Sequence, residues 1–201
     1  MDPIRNPYAP GAGTPPPELA GRDELLRTAD IALRRILARR PAKSLLLLGL
    51  RGVGKTVLLE RIRAGAQGRG IQTLRIEAPE SRSLPSLLAP ELRVLLLRLS
   101  RIQKARALAQ RALRGLAGFV GALRFQYQDM HLNLDVDPEP GLADAGDLEA
   151  DLQDLLEVVG QAAAQAETAV ALFVDELQYV AARELAALIT ALHRAAQDNL
   201  P

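Results

Sequence analysis

Residues 44–56 read SLLLLGLRGVGKT, an apolar run from Leu45 to Leu48 entering the octet Gly49-Leu50-Arg51-Gly52-Val53-Gly54-Lys55-Thr56. The octet fits G-x-x-x-x-G-K-[ST] at every fixed position, with a strand-like run before it and a helix-like pattern after it. A loop that wraps phosphates must turn its backbone N–H groups inward, and glycine allows the positive φ angles and close approach this requires. A helix beginning near Lys55 adds unpaired N–H groups and the positive end of its dipole. Lys55 is then placed to reach β- and γ-phosphates, and the Thr56 hydroxyl to ligate Mg²⁺. The alternative, a glycine-rich strand–helix turn that binds nothing, is disfavoured because both flanks are right.

Outward from the octet, residues 1–17 hold Pro3, Pro7, Pro10, Pro15, Pro16 and Pro17 with Gly11 and Gly13. Such a segment forms neither ladder nor helix, so an extended lead-in is expected, strapped over the domain or left free. Glu18-Leu19-Ala20-Gly21-Arg22-Asp23 opens an amphipathic helix with Leu25, Leu26, Ala29, Leu33, Ile36 and Leu37 at helical spacing. Arg39, Arg40 and Pro41 close it. On the other side, a helix is predicted from Lys55 to about Gln67, with Val57, Leu58 and Ile62 inward and Gly65, Gly68 and Gly70 easing its end. Ile71 to Ala78 alternates apolar and polar residues and reads as a half-exposed edge strand.

Prolines at 79, 85 and 90 break the pattern; helices are predicted over Glu91–Leu99 and Ile102–Leu123, with Ser100 a candidate cap. Phe125-Gln126-Tyr127 and Leu132 to Val136 alternate with period two and predict a small β-hairpin turning near Asp129. A loop from Asp137 to Gly146 follows, then a helix from Asp147 to about Gln165, an apolar strand from Ala169 to Val174, and a helix over about Ala182–Gln197. The net charge of +1 hides an asymmetry. From Leu92 to Gln128 no residue is acidic, and from Phe125 to Ala182 none is Lys or Arg. Pairing between these two halves, or plain solvated faces, accounts for the basic stretch better than nucleic-acid binding, because stacking aromatics are missing there. His131 and His193 lack metal-ligand spacing and receive no role.

The second feature with chemistry is Asp175-Glu176, directly after the apolar strand. In a parallel sheet the strand ends gather along one edge, so a carboxylate here can sit beside the phosphate-wrapping loop. Asp175 would hold Mg²⁺ opposite Thr56, and Glu176 would polarise an attacking water as general base. A bare strand end meeting solvent is the alternative.

Gly21-Arg22 before a helix, GLRGVGKT, and LFVDELQ about 120 residues later together resemble the AAA+ and STAND type of P-loop ATPase, in particular bacterial AAA-family proteins related to origin-recognition-type ATPases. The octet and Asp175-Glu176 correspond to its Walker A and Walker B motifs. The resemblance implies an α/β fold, a three-layer sandwich with a mostly parallel sheet of order 5-1-4-3-2, binding ATP and Mg²⁺. It implies nucleotide contacts from Gly49 to Val57, and from Gly21 and Arg22 near the adenine. It assigns catalysis to Lys55 and Glu176, and metal binding to Thr56 and Asp175. It divides the chain into the lead-in 1–17 and a partial nucleotide-binding domain 18–201, with a helical and β-hairpin insertion at about 80–146. The family's fourth and fifth strands, sensor residues, helical lid and arginine finger have no counterpart before Pro201. A fragment of a longer protein is therefore expected, whose first and third strands either close up or leave a gap about 10 Å wide.

The 201 residues suffice for one sizeable core, and the absence of cysteine excludes disulfides and thiolate metal sites. No apolar run approaches the ~18 residues of a membrane span and the N-terminus lacks a secretory core, so a cytoplasmic protein is expected. Two functions follow: an ATPase, or a nucleotide-gated switch that binds ATP with little turnover and signals to a partner protein or a homo-oligomer. DNA is allowed as a partner but nothing in the sequence supports it. ATP rather than GTP rests on the resemblance and on the lack of an N-K-x-D motif.

Overall fold

Two parallel strands, β1 (Gln72–Glu77) and β2 (Val170–Asp175), separate two groups of helices in the computed structural model, which describes residues 21–50 and 52–201. The lead-in 1–17, the expected helix start at Glu18–Ala20, and Arg51 lie outside the described residues. The register runs from Gln72 opposite Val170 to Glu77 opposite Asp175. The helices are α1 (Asp23–Leu37), α2 (Lys55–Gln67), α3 (Leu84–Leu99), α4 (Arg106–Leu123), α5 (Leu148–Gln165) and α6 (Ala182–Gln197). Short 3-10 turns occupy Gln103–Ala105 and Leu177–Tyr179. Among the described residues no helix is long and apolar enough to cross a membrane.

The strands differ as their sequences require. β2 is apolar along Val170–Val174 and is covered on both faces, the pattern of a strand between helix layers. Phe173 packs with Leu33 of α1, Ala66 of α2, Ile71 and Ala169 on one face. Val170, Leu172 and Val174 turn to the larger core of α3 to α6, where Leu74 and Ile76 of β1 join them. The alternate residues of β1 are polar: Thr73 accepts a hydrogen bond from Gln67, and Arg75 pairs with Glu60 at 2.6 Å.

The expected first strand does not form. Leu45 to Leu48 has no ladder partner among the described residues, and Leu46 and Leu48 stay 63% and 83% exposed. An extended run builds a strand only when a neighbour takes its N–H and C=O groups. Of the two outcomes expected there, closure or a gap, the run is left unpaired.

The expected hairpin at Phe125–Val136 is absent too, replaced by turns and irregular chain. Its alternation has another cause. Met130 is buried, and Tyr127, Leu132 and Leu134 pack partly buried against the main core, while Phe125 is 92% exposed. Irregular chain laid on a helical core, with Leu132 and Leu134 both packed against it, shows the same period as a strand.

The third correction concerns the prolines. α3 begins at Leu84, well before the expected Glu91, and runs through Pro90. Pro85 falls in the first turn, where an N–H has no helical acceptor. Pro90 removes the donor owed to the Ser86 carbonyl, and the Arg82 guanidinium donates to that oxygen at 3.1 Å instead. Ser100 is the C-cap of α3 and does not cap α4.

The first turn of α3 is satisfied from far along the chain. Leu84 N donates to Glu184 Oε2 at 2.8 Å. Asp129 accepts from Ser83 N at 2.8 Å and from the hydroxyls of Ser83 and Ser86. Burial alone would raise the Asp129 carboxyl, but the bonds from Ser86 and Ser83 outweigh it and hold it below the usual range. A folded pKa below the unfolded one gives stability that is present above the unfolded value of about 3.9 and is lost as pH falls through the folded value. Asp129→Asn is therefore expected to cost about 1 kcal/mol at neutral pH and to cost progressively less on acidification, read by thermal melts across pH.

The basic and acidic halves do meet. Arg111 and Arg114 both reach Glu139, at 2.8 and 3.1 Å, and Lys104 reaches Glu167 at 2.7 Å. These pairs are solvent-facing, so they orient loops more than they stabilise the fold. The 139–146 segment is further held by Asp151, buried in the first turn of α5, which accepts from Ala145 N and Gly146 N at 2.9 Å each. Burial pushes the Asp151 carboxyl up despite those two bonds.

Candidate functional site

Gly54 is the N-cap of α2 and sits in the left-handed region at φ 84°, with Gly52 at φ 83°. A Cβ would meet nothing within 4 Å at either position, so backbone conformation, and not space, requires glycine there. α2 starts at Lys55 without a side-chain cap, and Leu58 N already bonds Gly54 O. The unpaired first-turn N–H groups beside this loop form the positive end of the helix dipole.

Lys55 is half-buried and folded back over the loop. Its Nζ donates to Gly49 O at 2.9 Å and Leu50 O at 2.8 Å. The ammonium therefore already lies over the turn whose N–H groups would face a phosphate. Gly49 belongs to the same packing: a Cβ there would meet Val53 Cγ2 at 3.1 Å.

Arg22, the residue before α1, donates through Nη2 to Val53 O at 3.1 Å. Gly21 beside it has φ 73°. The structure thus brings Arg22 onto the loop backbone, 31 positions away in sequence. No local spacing could reveal such a contact.

Asp175 closes β2, and its backbone carbonyl accepts from Ala78 N at 3.1 Å. Its Oδ1 accepts from Glu176 N at 3.0 Å. Glu176 is left-handed at φ 54°, unusual for a residue with a Cβ and costly by about 1–2 kcal/mol. Its exposed carboxylate accepts from Gln178, two residues on, a contact that no motif announces. Strain of this kind at a strand end is a reason to look for function there.

The side-chain hydrogen bonds of Lys55, Asp175 and Glu176 all stay within their own segments, so among the described residues no direct side-chain bond joins the two halves of the site. They share a scaffold: α2 packs on β1 and β2. Among the described residues no group of three or more His, Asp and Glu side chains could hold a metal by itself. Thr56 and Asp175 offer hard oxygen donors, which suits Mg²⁺ taking its other ligands from phosphate and water.

A family model described as AAA ATPase domain matches residues 18–201. No curated protein and no solved structure matches the chain.

Proposed function

Because the chain belongs to the AAA ATPase domain family, we propose that it binds ATP with Mg²⁺ through Gly49–Val57 and hydrolyses it. The observation that carries this reading is the left-handed Gly54 opening α2 directly at Lys55. Loop N–H groups and the start of α2 would receive the β- and γ-phosphates. Lys55 would exchange the Gly49 and Leu50 carbonyls for phosphate oxygens. Arg22, with Gly21 beside it, would hold the Val53 carbonyl and so keep the turn in shape. Thr56 and Asp175 would hold Mg²⁺, which when bound neutralises charge on the phosphates. Glu176 would leave Gln178 to accept a proton from the attacking water. A relationship to STAND and origin-recognition-type ATPases fits the Gly21-Arg22 element, and in that reading α3 and α4 belong to an insertion at about 80–146.

One observation favours the switch reading. Both proposed catalytic side chains are engaged elsewhere, Lys55 with the loop and Glu176 with Gln178. Binding without turnover would leave Glu176 where it is.

Binding is tested by thermal melts with ATP, with and without Mg²⁺, and with GTP. A ligand at 100 times its Kd stabilises by about 2.7 kcal/mol, which is roughly 5–10 °C for a chain of this size. Mg²⁺-dependent stabilisation by ATP, greater than by GTP, is the expected result. No shift together with no heat of binding would remove both the enzyme and the switch.

A further inference from the structure

We infer that β1 is a self-association edge, at which a second copy of this chain extends the sheet by antiparallel pairing about Ile76. Among the described residues β1 has a sheet neighbour on one side only. Gln72 N donates to Ala169 O and Ala78 N to Asp175 O, so the even-numbered residues of β1 face β2. The N–H and C=O groups of Thr73, Arg75 and Glu77 therefore face the open side. An edge of this kind recruits another strand unless something blunts it, and Gln72–Glu77 carries neither a proline nor a run of like charge.

What the edge carries is self-complementary. Arg75 and Glu77 are opposite charges two residues apart, and Arg75 is held along the strand by Glu60 at 2.6 Å and Glu77 at 3.5 Å. A two-fold axis through Ile76 sets Arg75 opposite Glu77 of the second copy, twice, and both residues present outward-facing backbone groups. Thr73 then lies opposite Pro79, whose missing N–H ends the ladder. Moving the axis to Arg75 would place Arg75 against itself, so charge selects the register.

The surroundings favour a copy over an acidic or a basic partner. A groove of about 130 Å³ runs along this edge, lined by Arg63, Arg75, Glu91 and Arg98 together with Val94. Arg63 and Arg75 both pair with Glu60 at 2.6 Å, which leaves Glu91 and Arg98, one charge of each sign, so a strand of a single sign would meet like charge there. Val94, 43% exposed on α3 and lining this groove, supplies apolar surface that a second copy would cover.

The test is sedimentation of the chain over a concentration series, with Arg75→Glu, Glu77→Arg and their equimolar mixture. The wild type is expected to dimerise, and each variant to self-associate about tenfold or more weakly. The mixture is expected to recover dimers, because each new charge then faces its opposite on the other variant. A wild type that stays monomeric overturns the inference, as do variants that associate like the wild type. A mixture that stays monomeric while both variants melt normally overturns it too. Should Arg75→Glu melt early against Glu60, amide exchange decides. Protection of Thr73 and Arg75 that rises with concentration in the wild type, but not in Glu77→Arg, supports the edge, and unchanged protection overturns it.

Discussion

Lys55→Ala is expected to weaken ATP binding by about 100-fold and to abolish phosphate release, with little change in the melting temperature of the free protein. The size follows from two charge-assisted hydrogen bonds to phosphate, worth about 1.5 kcal/mol or more each. In the free protein the Lys55 ammonium bonds two carbonyls of its own loop, Gly49 and Leu50, beside open solvent. Water can replace it there, so the fold loses little. Glu176→Gln is expected to behave differently. It keeps a similar shape beside Gln178 and should retain ATP binding, but it loses the carboxylate that accepts a proton. Turnover should then fall by about 10²–10⁴-fold. Phosphate release and calorimetric binding, measured side by side for the three proteins, separate the cases. Loss of turnover in both variants supports hydrolysis, and tight ATP binding with no turnover in the wild type supports the switch.

Gly118→Val is expected to destabilise the chain by about 2–3 kcal/mol, lowering the melting temperature by roughly 5–10 °C. Gly118 faces the 141–146 loop across α4. A Cβ at 118 would stand 2.8 Å from the Leu142 carbonyl oxygen, 3.3 Å from Asp144 Cβ and 3.4 Å from the Ala143 carbonyl oxygen. The obstacle is backbone, in a loop fixed by the bonds from Ala145 and Gly146 to buried Asp151. It cannot step aside as a side-chain tip would. Gly121 in the same helix is the control: a Cβ there meets nothing within 4 Å, so Gly121→Ala should stabilise by up to about 1 kcal/mol. If both variants melt alike, the loop is not docked on α4 as described.

The parts of the fold legible in the sequence are those whose determinants are local. The 3.6-residue period of α5 and α6, the Asp147 cap with its bond from Ala150 N, and the glycines flanking Lys55 each declare themselves within a few residues. β1 and β2 were readable for the same reason, one as alternation and the other as an unbroken apolar run. The failures depend on partners that the hydrophobic pattern does not show. Leu45–Leu48 has the composition of a strand, but a strand is a relation between two segments, and among the described residues none pairs with it. Leu132 and Leu134 alternate because a helical core lies beneath them. Pro90 is tolerated because Arg82 supplies the donor it lacks. At the site, Gly49–Thr56 and Asp175-Glu176 stood out as motifs, whereas the grip of Arg22 on Val53 and the pairing of Glu176 with Gln178 exist only in three dimensions.

The start of α3 has a consequence for how the chain becomes native. Its first amide groups are met by Asp129, 46 positions after Ser83, and by Glu184, 100 positions after Leu84. Until α6 docks, the Leu84 N–H has no protein acceptor, and the opening turn of α3 stays frayed however strongly its leucines collapse. α6 thus completes a helix that starts 100 positions before Glu184, and the two should open and close as one cooperative unit. Loops with long sequence separation close slowly, so this joint is a late event in folding, made after the local helices are in place.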